Sequence, residues 1–319
     1  MARNAPGQHY RKGLSLVEIT RLFPTDEAAE SWFVEQRWPN GVACPKCQSD
    51  NILHVKSRKP QPYRCRACRK CFSAKTGTLM QGSNLGFQTW AIALYLAATG
   101  LKGTSSLKLH RDLGITQKSA WHLAHRIRET WAGDAPTFTG PVEADESHFG
   151  GLEKNKPEHR KLHAGRGTVG KVAVAGVNDR ATNRVSAKVV PNTTRETLQG
   201  FVREPTQPDA MVYTDDATAY QGLPHHASVT HSVGQWVDGL AHTNGLESFW
   251  SMMKRGYHGT YHHMSPKHLG RYVDEFEGRH NQRPMDALDQ MGRMARRMDG
   301  KGLTYDALTA GGADYPRSR

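Results

Sequence analysis

All five cysteines of this 319-residue chain fall between positions 44 and 71, and four of them are paired as Cys44-Pro-Lys-Cys47 and Cys65-Arg-Ala-Cys68. The resulting pattern, C-x2-C-x17-C-x2-C, constrains the fold more than any other feature. Each CxxC knuckle aims two thiolates at one point, and two knuckles complete a tetrahedral S4 site for Zn2+. Four thiolates leave no open position, so the expected ion is structural rather than catalytic. An odd, clustered set of cysteines also argues against disulfides. Cys71 extends the second knuckle to CxxCxxC; it is either a replacement for Cys68 as ligand or a spare thiol, and we take it as the spare.

Cations crowd the same stretch. No acid occurs from His54 to Lys75, where Arg64, Arg66, Arg69 and Lys70 cluster around the second knuckle with Tyr63 and Phe72 among them. Basic residues interleaved with aromatics on a zinc-held ribbon point to contact with a phosphate backbone. The whole chain agrees, since its net charge of +13 favours a polyanionic partner, most often nucleic acid. A hydrophobic content of 37% is too high for a disordered chain. The most apolar run, Phe87 to Leu101, falls short of the ~20 residues that a membrane-spanning helix needs. The first residues are basic without the apolar stretch of a secretory signal, so no membrane association and a cytoplasmic location are expected.

The pattern of caps and breakers predicts a multidomain chain. Residues 1–40 read as a helical segment broken at Phe23-Pro24, with Thr25 or Asp26 as the next N-cap, and residues 41–80 as the ribbon. Residues 86–132 read as an apolar helix, Gly86 to Gly100, followed by a helix-turn-helix-like pair with its turn at Leu113-Gly114 and Thr116 as a cap. In the second helix of that pair Ile115, Ala120, Leu123, Ala124 and Ile127 form the buried face. Gln117, Lys118, His122, His125, Arg126 and Arg128 then fall on the exposed surface, a composition suited to a recognition helix in a major groove, with Lys118 and Arg126 as DNA contacts. After a Gly- and Pro-containing linker at 133–136, residues 137–298 read as an α/β domain, and 299–319 as a flexible tail. The α/β domain should open with a short strand, Val142–Ala144, ending on Asp145. A hairpin of Val172–Val177 and Arg184–Val190 follows, then a helix over 193–202, strands at 210–214 and 228–233, and a helical region over 244–282 interrupted at Gly256, Gly259 and Pro266.

Three acids in this second half stand out by context. Asp145 and Asp215 each follow a predicted strand, and Glu247 lies early in a helix. Carboxylates at the ends of neighbouring strands, met by a third from a helix, can converge on Mg2+ or Mn2+, and two such ions can activate an attacking oxygen and stabilise a leaving oxygen at phosphorus. Asp216 competes with Asp215, and Glu143 and Glu146 have weaker claims. His258, His262 and His263 lack HExxH order and read as hydrogen-bonding or DNA-contacting groups.

The blocks VEADESHFGG (142–151), VYTDDATAYQGL (212–223) and HTNGLESFWSMMKRGYHGTYHHMSPKHLGRYVDEFEGRHNQR (242–283), together with YRCRACRKCFSAKTGTLM (63–80), resemble bacterial insertion-sequence transposases that carry an N-terminal zinc ribbon and a DDE-type catalytic domain. The resemblance implies a ribonuclease H-like α/β fold with a mixed sheet, with Asp145 and Asp215 as the catalytic aspartates and Glu247 as the third acid. Related enzymes have either Glu or Asn in third place, so Asn244, one turn before Glu247, is the alternative third ligand. Lys254 lies two helical turns after Glu247 and, with Arg255 beside it, is implied to contact DNA near the cleavage site. The implied activity is binding of the terminal inverted repeats, cleavage at the element ends and joining of 3′-hydroxyls to target DNA with two catalytic ions. The implied partners are double-stranded DNA of the element ends and of the target, and a second copy of the chain. Two other readings share many features: a DNA-binding regulator with an inactive transposase-derived domain, and a stand-alone metal-dependent nuclease.

Overall fold

A computed structural model of the chain describes residues 12–55, 57–133, 136–151, 153–162, 167–229 and 243–310. They form two compact units, one from the N-terminal region to Trp131 together with the segment from Gln282, the other from Ala132 to Asn281.

The first unit begins with α1 (Leu16–Leu22) and α2 (Asp26–Arg37). Ser15 caps α1 in a reciprocal box: its hydroxyl accepts from Glu18 N while Glu18 Oε2 accepts from Ser15 N at 2.7 Å. Thr25 caps α2, one of the two predicted caps. A three-stranded antiparallel ribbon follows, β1 (Ile52–His54), β2 (Tyr63–Cys65) and β3 (Cys71–Phe72). The apolar run forms α3 (Phe87–Thr99), bounded by Gly86 and Gly100, with Trp90, Ala91, Ala93 and Leu94 out of reach of solvent. Next come α4 (Ser106–Leu113) and α5 (Gln117–Arg128), which meet at Gly114, and Thr116 Oγ1 accepts from Ser119 N to start α5 as expected.

The second unit is built on a five-stranded sheet of β4 (Val142–Phe149), β5 (Val172–Asp179), β6 (Arg184–Val190), β7 (Val212–Asp215) and β8 (His226–Val229), in the order β6-β5-β4-β7-β8. The β4-β5 and β5-β6 pairs are antiparallel and the β4-β7 and β7-β8 pairs parallel, which is the mixed sheet expected of a ribonuclease H-like domain. The expected strand over 228–233 is observed as β8; its residues beyond 229 lie outside the described residues. One face of the sheet is covered by α6 (Arg195–Arg203), through Leu198, Phe201 and Val202. The other is covered by α7 (Asn244–Gly256), whose Leu246, Phe249, Trp250 and Met253 recur at helical spacing and are all buried. Its C-terminal end widens into a π-type turn over Tyr257–Tyr261, and α8 (Pro266–Gln282) follows.

Two local devices hold these helices on the sheet. The edge strand β6 is sealed by α8: Asn281 both accepts from Val185 N at 2.8 Å and donates to Val185 O at 2.7 Å, and Glu277 accepts from Ala187 N at 2.9 Å. An edge whose amides are occupied this way offers no template to another strand. Under α7, β5 carries Gly176, where a Cβ would lie 2.7 Å from the Trp250 ring and 3.0 Å from Leu246. Gly176→Ala is therefore expected to cost about 1–3 kcal/mol through overpacking, read as a lowered thermal unfolding midpoint.

The chain then re-enters the first unit through α9 (Ala287–Arg296) and α10 (Tyr305–Thr309). Here the structure departs from the sequence reading. Residues 287–298 were expected in the α/β domain, but Met291, Met294 and Met298 sit in the core that contains Trp90 and Leu94. Residues from 299 were expected to be frayed, but Leu303 and Leu308 are buried in that same core and Lys301 Nζ donates to Glu129 O at 2.6 Å. The Gly-rich composition concealed two apolar anchors. Residues 311–319 of the expected tail lie outside the described residues.

A second departure follows from the first. The segment at 303–305 lies against α5: Leu303 O accepts from Arg126 Nε at 3.0 Å and pairs with His122 Nε2, and the Tyr305 ring meets His122 and lies 4.2 Å from Lys118 Nζ. His125, Arg126 and Arg128 are buried, not on the exposed surface that helical periodicity assigned to them. Lys118 remains exposed.

Candidate active site and metal centre

In the ribbon, the residues that follow each knuckle, Gln48 and Arg69, both adopt positive φ near 60°, so the two CxxC turns have matching geometry. Cys44 Sγ lies 3.6 Å from Cys68 Sγ, and Cys47 Sγ 3.6 Å from Cys65 Sγ. All four sulfurs are within 4.8 Å of one another. A tetrahedral ZnS4 centre with bonds of ~2.3 Å has edges of ~3.8 Å, so this donor set fits a structural zinc ion. The Cys68 backbone N–H donates to Cys65 Sγ at 3.4 Å and lowers the pKa of that thiol, towards the thiolate a metal requires. Cys71 is outside the group, with its sulfur 3.2 Å from Arg58 Nη1, as expected of a spare thiol.

The aromatics of the ribbon are not on its surface. Tyr63 and Phe72 stack at 5.4 Å and both meet Trp38 at 6.0 Å, forming the small core beneath the strands. The expectation that they interleave with cations on a DNA-facing surface is overturned, because a ribbon with so few residues must use them as its core. Arg64, Arg66, Arg69 and Lys70 are exposed.

In the second unit, β4 is longer than the sequence implied. It continues through Asp145 to Phe149, paired with β5 as far as Phe149 opposite Val172, so Asp145 lies mid-strand rather than at a strand end. The sequence reading ended the strand on Asp145 because polar residues follow there; three of them, Asp145, Glu146 and Ser147, border a cleft. Asp215 does end β7. The parallel register sets Val142 beside Val212 and Glu143 beside Tyr213; two residues further along both strands are Asp145 and Asp215, which therefore share one face of the sheet. It is the α7 face, since Trp250 Nε1 donates to Asp145 Oδ2 at 3.0 Å.

An open cleft of about 490 Å³ lies here, lined by Asp145, Glu146 and Ser147 of β4 and by Glu247, Trp250, Ser251, Lys254, Arg255 and the following His258. The helical members recur along one stripe of α7, which is why Glu247 and Lys254 face the same space. Glu247, Lys254 and Arg255 are exposed. Asn244 is exposed at the first position of α7 and does not line the cleft; Asp216 is exposed beyond the end of β7. The oxygens of Asp145, Asp215 and Glu247 do not all lie within 4.8 Å of one another.

The electrostatics single out Asp145. Burial, then the charges of Glu146 and Asp215, push its carboxyl up to about 7. Glu146 is also raised, chiefly by burial, although the Tyr220 hydroxyl donates to it at 2.7 Å. Neighbouring carboxylates that resist ionising together form a site that a divalent cation would relieve, and oxygen donors of this kind suit Mg2+ or Mn2+. Neither the Trp250 bond to Asp145 nor the Tyr220 bond to Glu146 was read from the sequence. The one available signal was the spacing that puts Trp250 one turn after Glu247 on the same helical stripe.

Comparison with known proteins agrees with this architecture. Residues 137–281 match the family described as the ISXO2-like transposase domain, and residues 24–71 match the transposase zinc-ribbon domain. The chain is 28% identical over 250 residues to an uncharacterized protein in transposable element ISH50 of Halobacterium salinarum, covering 74% of this chain and 84% of that protein. It is 31% identical over 102 residues to an uncharacterized transposase-like protein of Haemophilus influenzae, covering 31% of this chain and 81% of that protein. With a four-cysteine ribbon followed by a mixed-sheet α/β unit, the chain belongs to the insertion-sequence transposases that carry an N-terminal zinc ribbon.

Proposed function

We propose that this chain is a DDE-type transposase that binds the terminal inverted repeats of its element, cuts at the element ends and joins the exposed 3′-hydroxyls to target DNA. The observation that carries the reading is the placement of Asp145 and Asp215 on one face of adjacent strands, with Asp145 lining the cleft to which α7 presents Glu247 and Lys254. Asp145, Asp215 and Glu247 would hold the divalent ions, with Asn244 the alternative third ligand. When bound, such ions activate the attacking oxygen and stabilise the leaving oxygen in an in-line phosphodiester displacement. Water attacks first and a 3′-hydroxyl second, so no Ser or Tyr nucleophile is required of the protein. Lys254 and Arg255, exposed beside the acids, would hold the backbone phosphates flanking the scissile bond. The exposed Arg64, Arg66, Arg69 and Lys70 of the ribbon and Lys118 of α5 would grip duplex DNA away from the chemistry. Arg126, buried against Leu303, is not assigned a DNA contact. Among the described residues no helix is long and apolar enough to cross a membrane. Synapsis of two element ends calls for at least two copies of the chain on DNA.

The test is a strand-transfer assay with the DNA that flanks the native gene, a plasmid target and Mg2+ or Mn2+. Joined products that disappear with Asp215→Ala are expected. Cleavage without joined products would instead identify a nuclease, and specific end binding without either reaction, even on pre-cut ends, a regulator.

A further inference from the structure

The strand that carries Asp145 and the helix that carries Glu247 are joined by a buried carboxylate that does not itself line the cleft. Glu143 precedes Asp145 by two positions on β4, so it projects from the same face of the sheet, and it is 1% exposed. Its Oε2 accepts from Gly245 N at 2.8 Å and from Leu246 N at 3.2 Å. These are amides that the first turn of a helix leaves without a partner inside the helix. The N-cap of α7, Thr243, makes no side-chain capping bond, so the cap of this helix is supplied from the sheet. The other oxygen, Oε1, accepts from Arg180 Nε at 3.0 Å, and that guanidinium lies 4.0 Å over the Tyr213 ring of β7. Gly245 permits the approach: a Cβ there would lie 2.3 Å from Asn178 Nδ2 and 2.7 Å from Glu143 Oε2. A second tie, from Trp250 Nε1 to Asp145 Oδ2, joins the same strand to the same helix one turn further on.

We propose that Glu143 is a positioning residue for the transfer reaction: it sets the height and rotation of α7 over β4, and thereby the spacing between Asp145 and Glu247 on which divalent-ion binding depends. This rests on the reading of Asp145, Asp215 and Glu247 as the metal-holding acids. The geometry explains why a carboxylate is needed. The Gly245 and Leu246 amides on one oxygen and Arg180 Nε on the other require acceptors on both oxygens, whereas a glutamine would turn an NH2 group towards either the helix amides or Arg180. A register error of one helical turn is not needed to harm the site, because Mg2+ demands near-ideal octahedral geometry and tolerates little change in ligand spacing.

The test uses the full-length, zinc-loaded protein and two readouts of Mg2+: the concentration giving half-maximal end cleavage, and the concentration giving half of the Mg2+-dependent rise in Tm, which needs no turnover. Glu143→Gln is expected to raise both by tenfold or more while leaving binding to element-end DNA within twofold. Glu143→Asp keeps the charge but is one methylene shorter; it is expected to shift both readouts in the same direction and serves if the glutamine variant does not fold. Asn281→Ala, which loosens the β6 edge away from the cleft, provides a comparable loss of stability and is expected to leave both Mg2+ midpoints unchanged. If Glu143 variants lower Tm but retain parental Mg2+ midpoints, the residue is only structural and the proposal is overturned. If Asp145→Asn and Asp215→Asn keep full cleavage and Mg2+ response, the underlying assignment of the acids fails instead, so the two failures are distinguishable.

Discussion

Asp145→Asn is expected to reduce end cleavage and strand transfer at least 10³-fold and, without divalent ions, to make the protein more stable above pH 7. On the proposed function, the loss of activity follows from removing an anionic ligand where two ions would sit close together. The gain in stability follows from the cost of the buried charge. An unfolded aspartate titrates near ~3.9, while burial and the adjacent Glu146 and Asp215 push Asp145 up to about 7 in the folded chain. A folded pKa above the unfolded one means that the group's contribution to stability is complete below pH ~4 and is lost as pH rises through about 7. A shift of this size corresponds to a cost of on the order of 2–4 kcal/mol at pH 8. The raised Glu146 acts with the same sign. The metal-free parent should thus show a Tm that falls between pH 5 and 8, the variant a flatter profile, and Mg2+ should restore the parent alone. Equal Tm values for the two proteins at pH 8 in a chelator would contradict the electrostatic account.

Removing zinc is expected to unfold the ribbon and leave the sheet unit folded. Strands of three, three and two residues cannot sustain a core by themselves, and theirs is little more than Trp38, Tyr63, Phe72 and the cysteines. A structural zinc ion supplies ~10–16 kcal/mol at neutral pH, which is folding free energy for a module of this size. The second unit has independent cores on both faces of its sheet and shares none of the four sulfurs. Strong chelation or Cys65→Ser should therefore open residues 41–75 to proteolysis and abolish DNA binding by the ribbon, with the β4–β8 unit still protected. Cys71→Ser should keep one zinc ion per chain, since Cys71 lies outside the tetrahedron. Protease resistance of the ribbon after zinc is gone would refute the metal's structural role.

What the sequence settled unaided is the part governed by near neighbours. Paired CxxC knuckles predict four converging sulfurs because each pair is set by a few backbone angles. Thr25, Thr116 and the glycines around α3 mark helix ends because a cap acts within one turn. Glu247 and Lys254 share a stripe because a helix repeats every 3.6 residues. Tertiary structure decided everything that depends on which surface meets which. Periodicity placed Arg126 on an open face of α5, but nothing within α5 announces that Leu303, 177 positions away, will cover it. Tyr63 and Phe72 were legible as aromatics on a basic strand, yet the ribbon has no other core to offer. The sequence marked Asp145 and Asp215 as acids that follow strands, but only the parallel pairing with β7 put them on one face of the sheet, and only the docking of α7 made Glu143 a helix cap. Local chemistry is written in spacing, whereas burial and charge environment are properties of packed surfaces that lie far apart in the chain.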